Sequence, residues 1–247
     1  MSKCILTAGI FSECIFSELG IMKTTYTKSV FLSWIIIAMI VLQVITSSAQ
    51  NAGATFTAGP DMKRAKLYPM TSVLPNGKLI SFGGRELNFI SCSYADMYDP
   101  VTNTFTEAAM TYPHDAFAAA KLSDGRYFLL GGGKDLGVPA YDYTEIYDPT
   151  GNTFTSKATM TTPRMQATAA QLTGGKVLVA CGWYNNTAAS TTELYDVTAN
   201  TFTATGNLVQ PRSYALLFPA TDGGAVITGG WPTYGGNTYT SVENYNI

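Results

Sequence analysis

Residues 124–155 read DGRYFLLGGGKDLGVPAYDYTEIYDPTGNTFT, and the way this stretch recurs decides the fold. Asp124-Gly125 is a hairpin-turn signal, RYFLL is a short apolar strand, and a glycine pair ends it. A loop follows, and then the polar elements Thr144 to Pro149 and Asn152 to Thr155. The same landmarks return on both sides. Tyr98-Asp99-Pro100, Tyr147-Asp148-Pro149, Tyr195-Asp196-Val197 and Tyr245-Asn246-Ile247 place their tyrosines 49, 48 and 50 residues apart. Phe56, Phe105, Phe154 and Phe202, each in a Thr-Phe-Thr element, are spaced by 49, 49 and 48. Gly83-Gly84, Gly131-Gly132, Cys181-Gly182 and Gly229-Gly230 close the apolar runs KLISF, RYFLL, KVLVA and GAVIT. Runs of this length, apolar throughout and introduced by Asn76-Gly77 or Asp124-Gly125, are strands packed on both faces. A period near 50 residues then makes each unit one small sheet in a stacked array.

Composition narrows the function classes. The chain has 247 residues, 46% hydrophobic and only 13% charged, which excludes a disordered polymer. Fifteen Lys and Arg stand against seventeen Asp and Glu, so no general basic field draws nucleic acid or an anionic membrane. A single histidine, His114, removes the multi-histidine metal sites. No phosphate loop, nucleophile motif or metal-ligand cluster is present, and no cofactor or metal is expected.

The apolar run VFLSWIIIAMIVLQVI at 30–45 follows Lys23 and Lys28 and precedes Ser47-Ser48-Ala49. It has the three parts of a secretory signal with cleavage after Ala49, and falls short of the ~20 residues of a membrane span. The expected organisation is a dispensable extension at 1–21, with Met22 as the start, a signal peptide at 22–49, and an exported repeat domain at 50–247. Its place is extracellular, periplasmic or at the cell surface, with no membrane span after signal removal. Cys92 and Cys181 are the two cysteines of that domain and read as buried thiols rather than a bridge.

The double glycine, the Glu-x-Tyr-Asp element (Glu145 to Asp148, Glu193 to Asp196) and the Asn-Thr-Phe element resemble the kelch family over residues 54–247. The departure is consistent: Phe stands where the family usually has Trp. The resemblance implies an all-β, kelch-type β-propeller of four-stranded blades. Its repeats are approximately 58–106, 107–155, 156–203 and 204–247, with 54–57 in addition. The chain opens on an outer-strand element and its last repeat lacks one, so residues 54–57 are expected beside 241–246, closing a ring of four blades. The alternative is assembly of two chains into a larger ring.

Each repeat's first strand is expected to open with a polar residue after a turn, Arg64, His114, Arg164 or Arg212, the last three directly after Pro113, Pro163 and Pro211. The resemblance to kelch adaptor domains implies that such a ring at the channel mouth holds acidic segments of a protein partner. The competing reading is a structural girdle in which Asp96, Glu145, Glu193 and Glu243 pair with them. The loops after the glycines carry Phe89; Tyr141 and Tyr143 with Asp135 and Asp142; Trp183, Tyr184, Asn185 and Asn186; and Trp231, Tyr234, Asn237 and Tyr239. Aromatic faces beside amides suit sugar rings, so glycan or envelope polysaccharide is the expected ligand and a non-enzymatic recognition module the expected function. Packing of the propeller's ends is the plainer use of the same aromatics. The copper radical oxidases of the family need two histidines, which one His114 cannot supply. The sialic acid mutarotases of the family leave only His114-Asp115 as a local hint, and no catalytic residue is assigned.

Overall fold

The computed structural model describes residues 56–133, 139–233 and 236–247. The extension, the signal peptide, Ala54, Thr55, Asp135 and Tyr234 lie outside the described residues. The chain divides into two units, Met1–Ala58 and Gly59–Ile247, and the second carries all the strands described here. No helix occurs among the described residues, and none is long and apolar enough to cross a membrane.

Four antiparallel sheets follow one another as blades. Blade 1 is β1 (Met70–Val73), β2 (Leu79–Phe82), β3 (Tyr94–Asp99) and β4 (Thr104–Ala109), hydrogen-bonded in that order. Blade 2 is β5 (Ala118–Lys121), β6 (Tyr127–Leu130), β7 (Thr144–Asp148) and β8 (Thr153–Lys157). Blade 3 is β9 (Thr168–Gln171), β10 (Val177–Ala180), β13 (Thr192–Asp196) and β14 (Thr201–Ala204), with the hairpin β11 (Trp183–Tyr184) and β12 (Thr187–Ala188) inserted. Blade 4 has three strands, β15 (Leu216–Pro219), β16 (Ala225–Thr228) and β17 (Val242–Tyr245).

The recurrent motifs have local explanations. In the β3–β4, β7–β8 and β13–β14 turns, Asn103, Asn152 and Asn200 adopt φ of 56°, 51° and 55°. Asn tolerates that region, and its side chain accepts a hydrogen bond from the tyrosine hydroxyl five residues earlier, at 2.8, 3.0 and 2.8 Å. Asp99, Asp148 and Asp196 accept the amide two residues on, which starts the turn. The Tyr and Phe of each unit then pair across the hairpin, with ring centroids 4.8–5.0 Å apart.

Blades pack face to face through apolar residues. Phe82 of blade 1 sits among Tyr127, Tyr147 and Phe154 of blade 2, and Phe128 of blade 2 stacks on Tyr195 of blade 3 at 4.2 Å. Leu172, Leu178, Leu194 and Ala225 continue the core toward Leu217 and Tyr245 of blade 4. Cys92 and Cys181 are buried free thiols, as expected from the sequence.

The expected closure of the ring is not seen. Among the described residues β17 pairs with β16 alone. The first face of blade 1 and the last face of blade 4 do not cover one another. Leu79 is 42% exposed although its equivalents Tyr127, Val177 and Ala225 are at most 1% exposed, and Leu216, Phe218 and Val242 are 54–60% exposed.

The two glycines of each pair differ in kind. The first position has φ of 50–69°, a left-handed conformation that Cys181 also adopts at 57°. The second, Gly84, Gly132, Gly182 and Gly230, has φ of 82–112°, and a Cβ on Gly132 would lie 2.6 Å from the Asp115 carbonyl oxygen. Gly132→Ala is therefore expected to lower unfolding free energy by about 2–3 kcal/mol in urea titration, while Cys181→Gly changes it by less than about 1 kcal/mol.

Candidate functional site

The segment entering each blade brings a basic side chain onto an acid of the third strand. Lys66 Nζ lies 2.8 Å from Asp96, His114 Nε2 3.1 Å from Glu145, Arg164 Nη2 3.0 Å from Glu193, and Arg212 Nη2 2.9 Å from Glu243. All four basic side chains are fully buried. The girdle is thus the arrangement present, with one change of register. Arg64 is not a member: it is exposed, pairs with Glu107 and lies over the Tyr94 ring, and Lys66 takes its place. The true series, 66, 114, 164 and 212, is confirmed by the backbone, because Tyr68, Ala116, Gln166 and Tyr214, each two residues on, share φ of 51–55°.

Each pair also fastens backbone. Glu145, Glu193 and Glu243 accept amides of Thr111, Thr161 and Val209, which lead into the basic residue. Arg164 donates to the carbonyls of Cys181 and Thr191, and Arg212 to those of Gly229 and Ser241. His114 fills the same place with an imidazole: Nδ1 lies 2.9 Å from the Gly131 carbonyl and Nε2 faces Glu145. Its neighbour Asp115 is bound to Arg85 at 2.7 Å, so the two form no dyad. Among the described residues no three His, Cys, Asp or Glu stand together as metal ligands.

Beyond the girdle, the left-handed residues join blade to blade. Gln166 N–H donates to the Ala116 carbonyl at 2.6 Å, and Tyr214 N–H to the Gln166 carbonyl at 3.1 Å. Their rim carries the exposed aromatics. Tyr68 and Phe89 flank the Arg85 guanidinium at 5.4 and 5.9 Å, and Tyr214 lies 5.7 Å from half-buried Trp231. Trp183 and Trp231 hold equivalent places, bridged to Met165 and Ser213. They differ in exposure: Trp183 is 6% exposed against Ala140 and Met165, with no acceptor for its indole N–H among the described residues. Tyr184 begins a tight turn whose Asn185 and Asn186 have φ of 48° and 62°, as a two-residue hairpin requires. Both asparagines are exposed, and so is Asn237.

Tyr141 and Tyr143 form a half-buried ladder with Tyr112, at 4.7 and 4.3 Å between rings. The Tyr143 hydroxyl donates to the Pro113 carbonyl at 2.6 Å, and burial raises its pKa beyond the ordinary range. Tyr68 and Tyr214 were not among the residues expected from sequence. Their signal is the 48, 50, 48 spacing they share with Ala116 and Gln166. Open clefts of about 400 Å3 lie instead at the turn end, one lined by Asn76, Asp124, Arg126 and Asp148.

The register makes a direct prediction. Lys66→Met strands buried Asp96 and is expected to cost about 3–5 kcal/mol in urea melts, whereas Arg64→Met, at an exposed pair, costs about 1 kcal/mol or less. A second concerns acid. Burial opposes ionisation of Glu243, but the Val209 and Gln210 amides and the Arg212 guanidinium outweigh it and hold the carboxyl below its ordinary 4.5. Its stabilising contribution is complete above that ordinary value and is lost as pH falls through the depressed one. Thermal melts between pH 6 and about pH 3 should fall less steeply for Glu243→Gln than for the parent.

No protein-family model matches the sequence, and a search of curated proteins finds no match. Among solved structures the chain is similar to that of YjhT, at a TM-score of 0.62 and 17% identity, over 75% of this chain and 70% of that one. A likeness at that identity speaks to fold, and with the four successive sheets it shows a kelch-like β-propeller fold.

Proposed function

We propose that the protein is an exported, non-enzymatic recognition module that binds glycan or envelope polysaccharide at the rim of the propeller. One observation carries this reading. The basic side chains of the girdle are buried against acids, whereas Tyr68, Phe89 and Tyr214 are exposed, with Trp231 beside Tyr214. Burial removes His114, Arg164 and Arg212 from contact with an acidic partner, which disfavours the acidic-peptide reading. The rim offers what a sugar ring requires, an apolar platform for its C–H face and polar groups at its edge. Tyr214 and Trp231 form such a platform, tilted 43° to one another. Trp183 is packed against Ala140 and Met165 rather than presented.

A glycan array with purified protein tests the reading. Binding is expected to fall at least about tenfold with Tyr214→Ala or Trp231→Ala, and to change little between 0.05 and 0.5 M salt, since stacking is not screened. Binding that disappears with salt and survives both substitutions would replace the glycan reading with an electrostatic one.

A further inference from the structure

The hairpin inserted in blade 3 ends on a triplet whose side chains the sheets do not need. Asn185-Asn186-Thr187 is the one Asn-x-Ser/Thr sequence among the 247 residues. With a middle residue other than proline, such a triplet is the acceptor pattern for N-linked glycan on an exported chain. All three residues are exposed, at the tip of the two-stranded sheet β11–β12 that blade 3 carries beside its four strands.

The turn asparagines of the blades themselves are engaged. The carboxamide oxygens of Asn103, Asn152 and Asn200 accept tyrosine hydroxyls within their own turns, and that of Asn200 also accepts the Ala158 amide of the preceding blade. Among the described residues no side-chain hydrogen bond involves Asn185. Backbone holds its turn instead: φ is 48° and 62° at the two asparagines, with Tyr184 opposite Thr187 and Trp183 opposite Ala188. The base of the hairpin is fixed apart from the tip, by the packing of Trp183 against Ala140 and Met165 and by the Ala189 amide donating to the Gly182 carbonyl at 2.8 Å. A group attached to the Asn185 amide nitrogen therefore extends into solvent and displaces no contact of the fold.

We infer that Asn185 is a site of N-linked glycosylation, an inference that rests on the export reading because the transfer belongs to a secretory compartment. The donor is an oligosaccharide carried on a lipid diphosphate. The Asn185 amide nitrogen bonds to C1 of the donor's first sugar as the C1–oxygen bond to the diphosphate breaks; the amide gives up one proton and the lipid diphosphate leaves. In the folded hairpin the Thr187 hydroxyl donates to the Tyr184 carbonyl at 3.1 Å. That hydroxyl is part of what the triplet offers a transferase, so transfer precedes closure of the hairpin, and the fold then keeps the product outside the core.

Peptide mapping by mass spectrometry tests this on the full chain, isolated from the secreted fraction of its own cells and of a eukaryotic secretory host. Asn185 is expected to carry glycan in both, and a peptide-N-glycosidase to remove it and leave an aspartate in place of the asparagine. In the host, Asn185→Gln and Thr187→Ala are each expected to abolish the modification with circular dichroism unchanged, whereas Thr187→Ser retains it. Secreted protein unmodified at Asn185 from either source would overturn the inference, as would a glycan that persists in Asn185→Gln. A chain that stays in the cytosol with its own leader, yet is glycosylated at Asn185 when residues 1–49 are replaced by a proven secretory signal, would overturn the export reading and uphold Asn185 as the acceptor.

Discussion

The carbonyl group that each basic residue places on the preceding blade's glycine pair is the contact on which the rest depends. It brings two backbones within hydrogen-bonding distance, with Gly83, Gly131 or left-handed Cys181 at the first position and a glycine at the second. The buried ion pair exists to hold that carbonyl in position. A lysine, a histidine or an arginine serves, because what is required is a nitrogen-bearing side chain that can reach the acid on the third strand. Isolated, such pairs are weak sources of stability, since desolvation offsets much of their attraction. Here each carboxylate of blades 2 to 4 also accepts amides from the entering segment, so it orders a loop that has no sheet of its own.

The apolar interfaces follow from this geometry. Once the inner edges are fixed, aromatic side chains fill the widening space toward the outside. Phe82 and Phe128 meet Tyr and Phe of the next blade, and the Tyr–Phe pair recurs in three blades. The phenylalanine of each Thr-Phe-Thr element in blades 1 to 3 makes this packing. Polar closure of the outer turn falls to the tyrosine hydroxyl and the left-handed asparagine.

Most of the fold was legible because its constraints recur as identities. Tyr, Asn, Phe and Gly each answer a backbone demand that only one or two residue types meet, so they return at a readable period. The girdle was legible except in blade 1. The proline that precedes the cation in the other blades is Ala65 there, and Arg64 stands close enough to take the assignment from Lys66. The rim was harder to read. Tyr68, Ala116, Gln166 and Tyr214 share a backbone conformation but no chemistry, so no motif connects them. Trp183 and Trp231 were placed correctly as equivalents, but their different exposure depends on what neighbouring loops cover, which no local pattern encodes.

The main-chain relay through Ala116, Gln166 and Tyr214 bears on how such a protein changes over time. Its hydrogen bonds use only N–H and C=O groups, so the side chain at each link contributes little to holding the blades together. Blade pairing and surface chemistry are thereby written in separate alphabets along the same few residues. A point change at exposed Tyr214 alters what the surface displays while the ladder beneath it keeps its bonds.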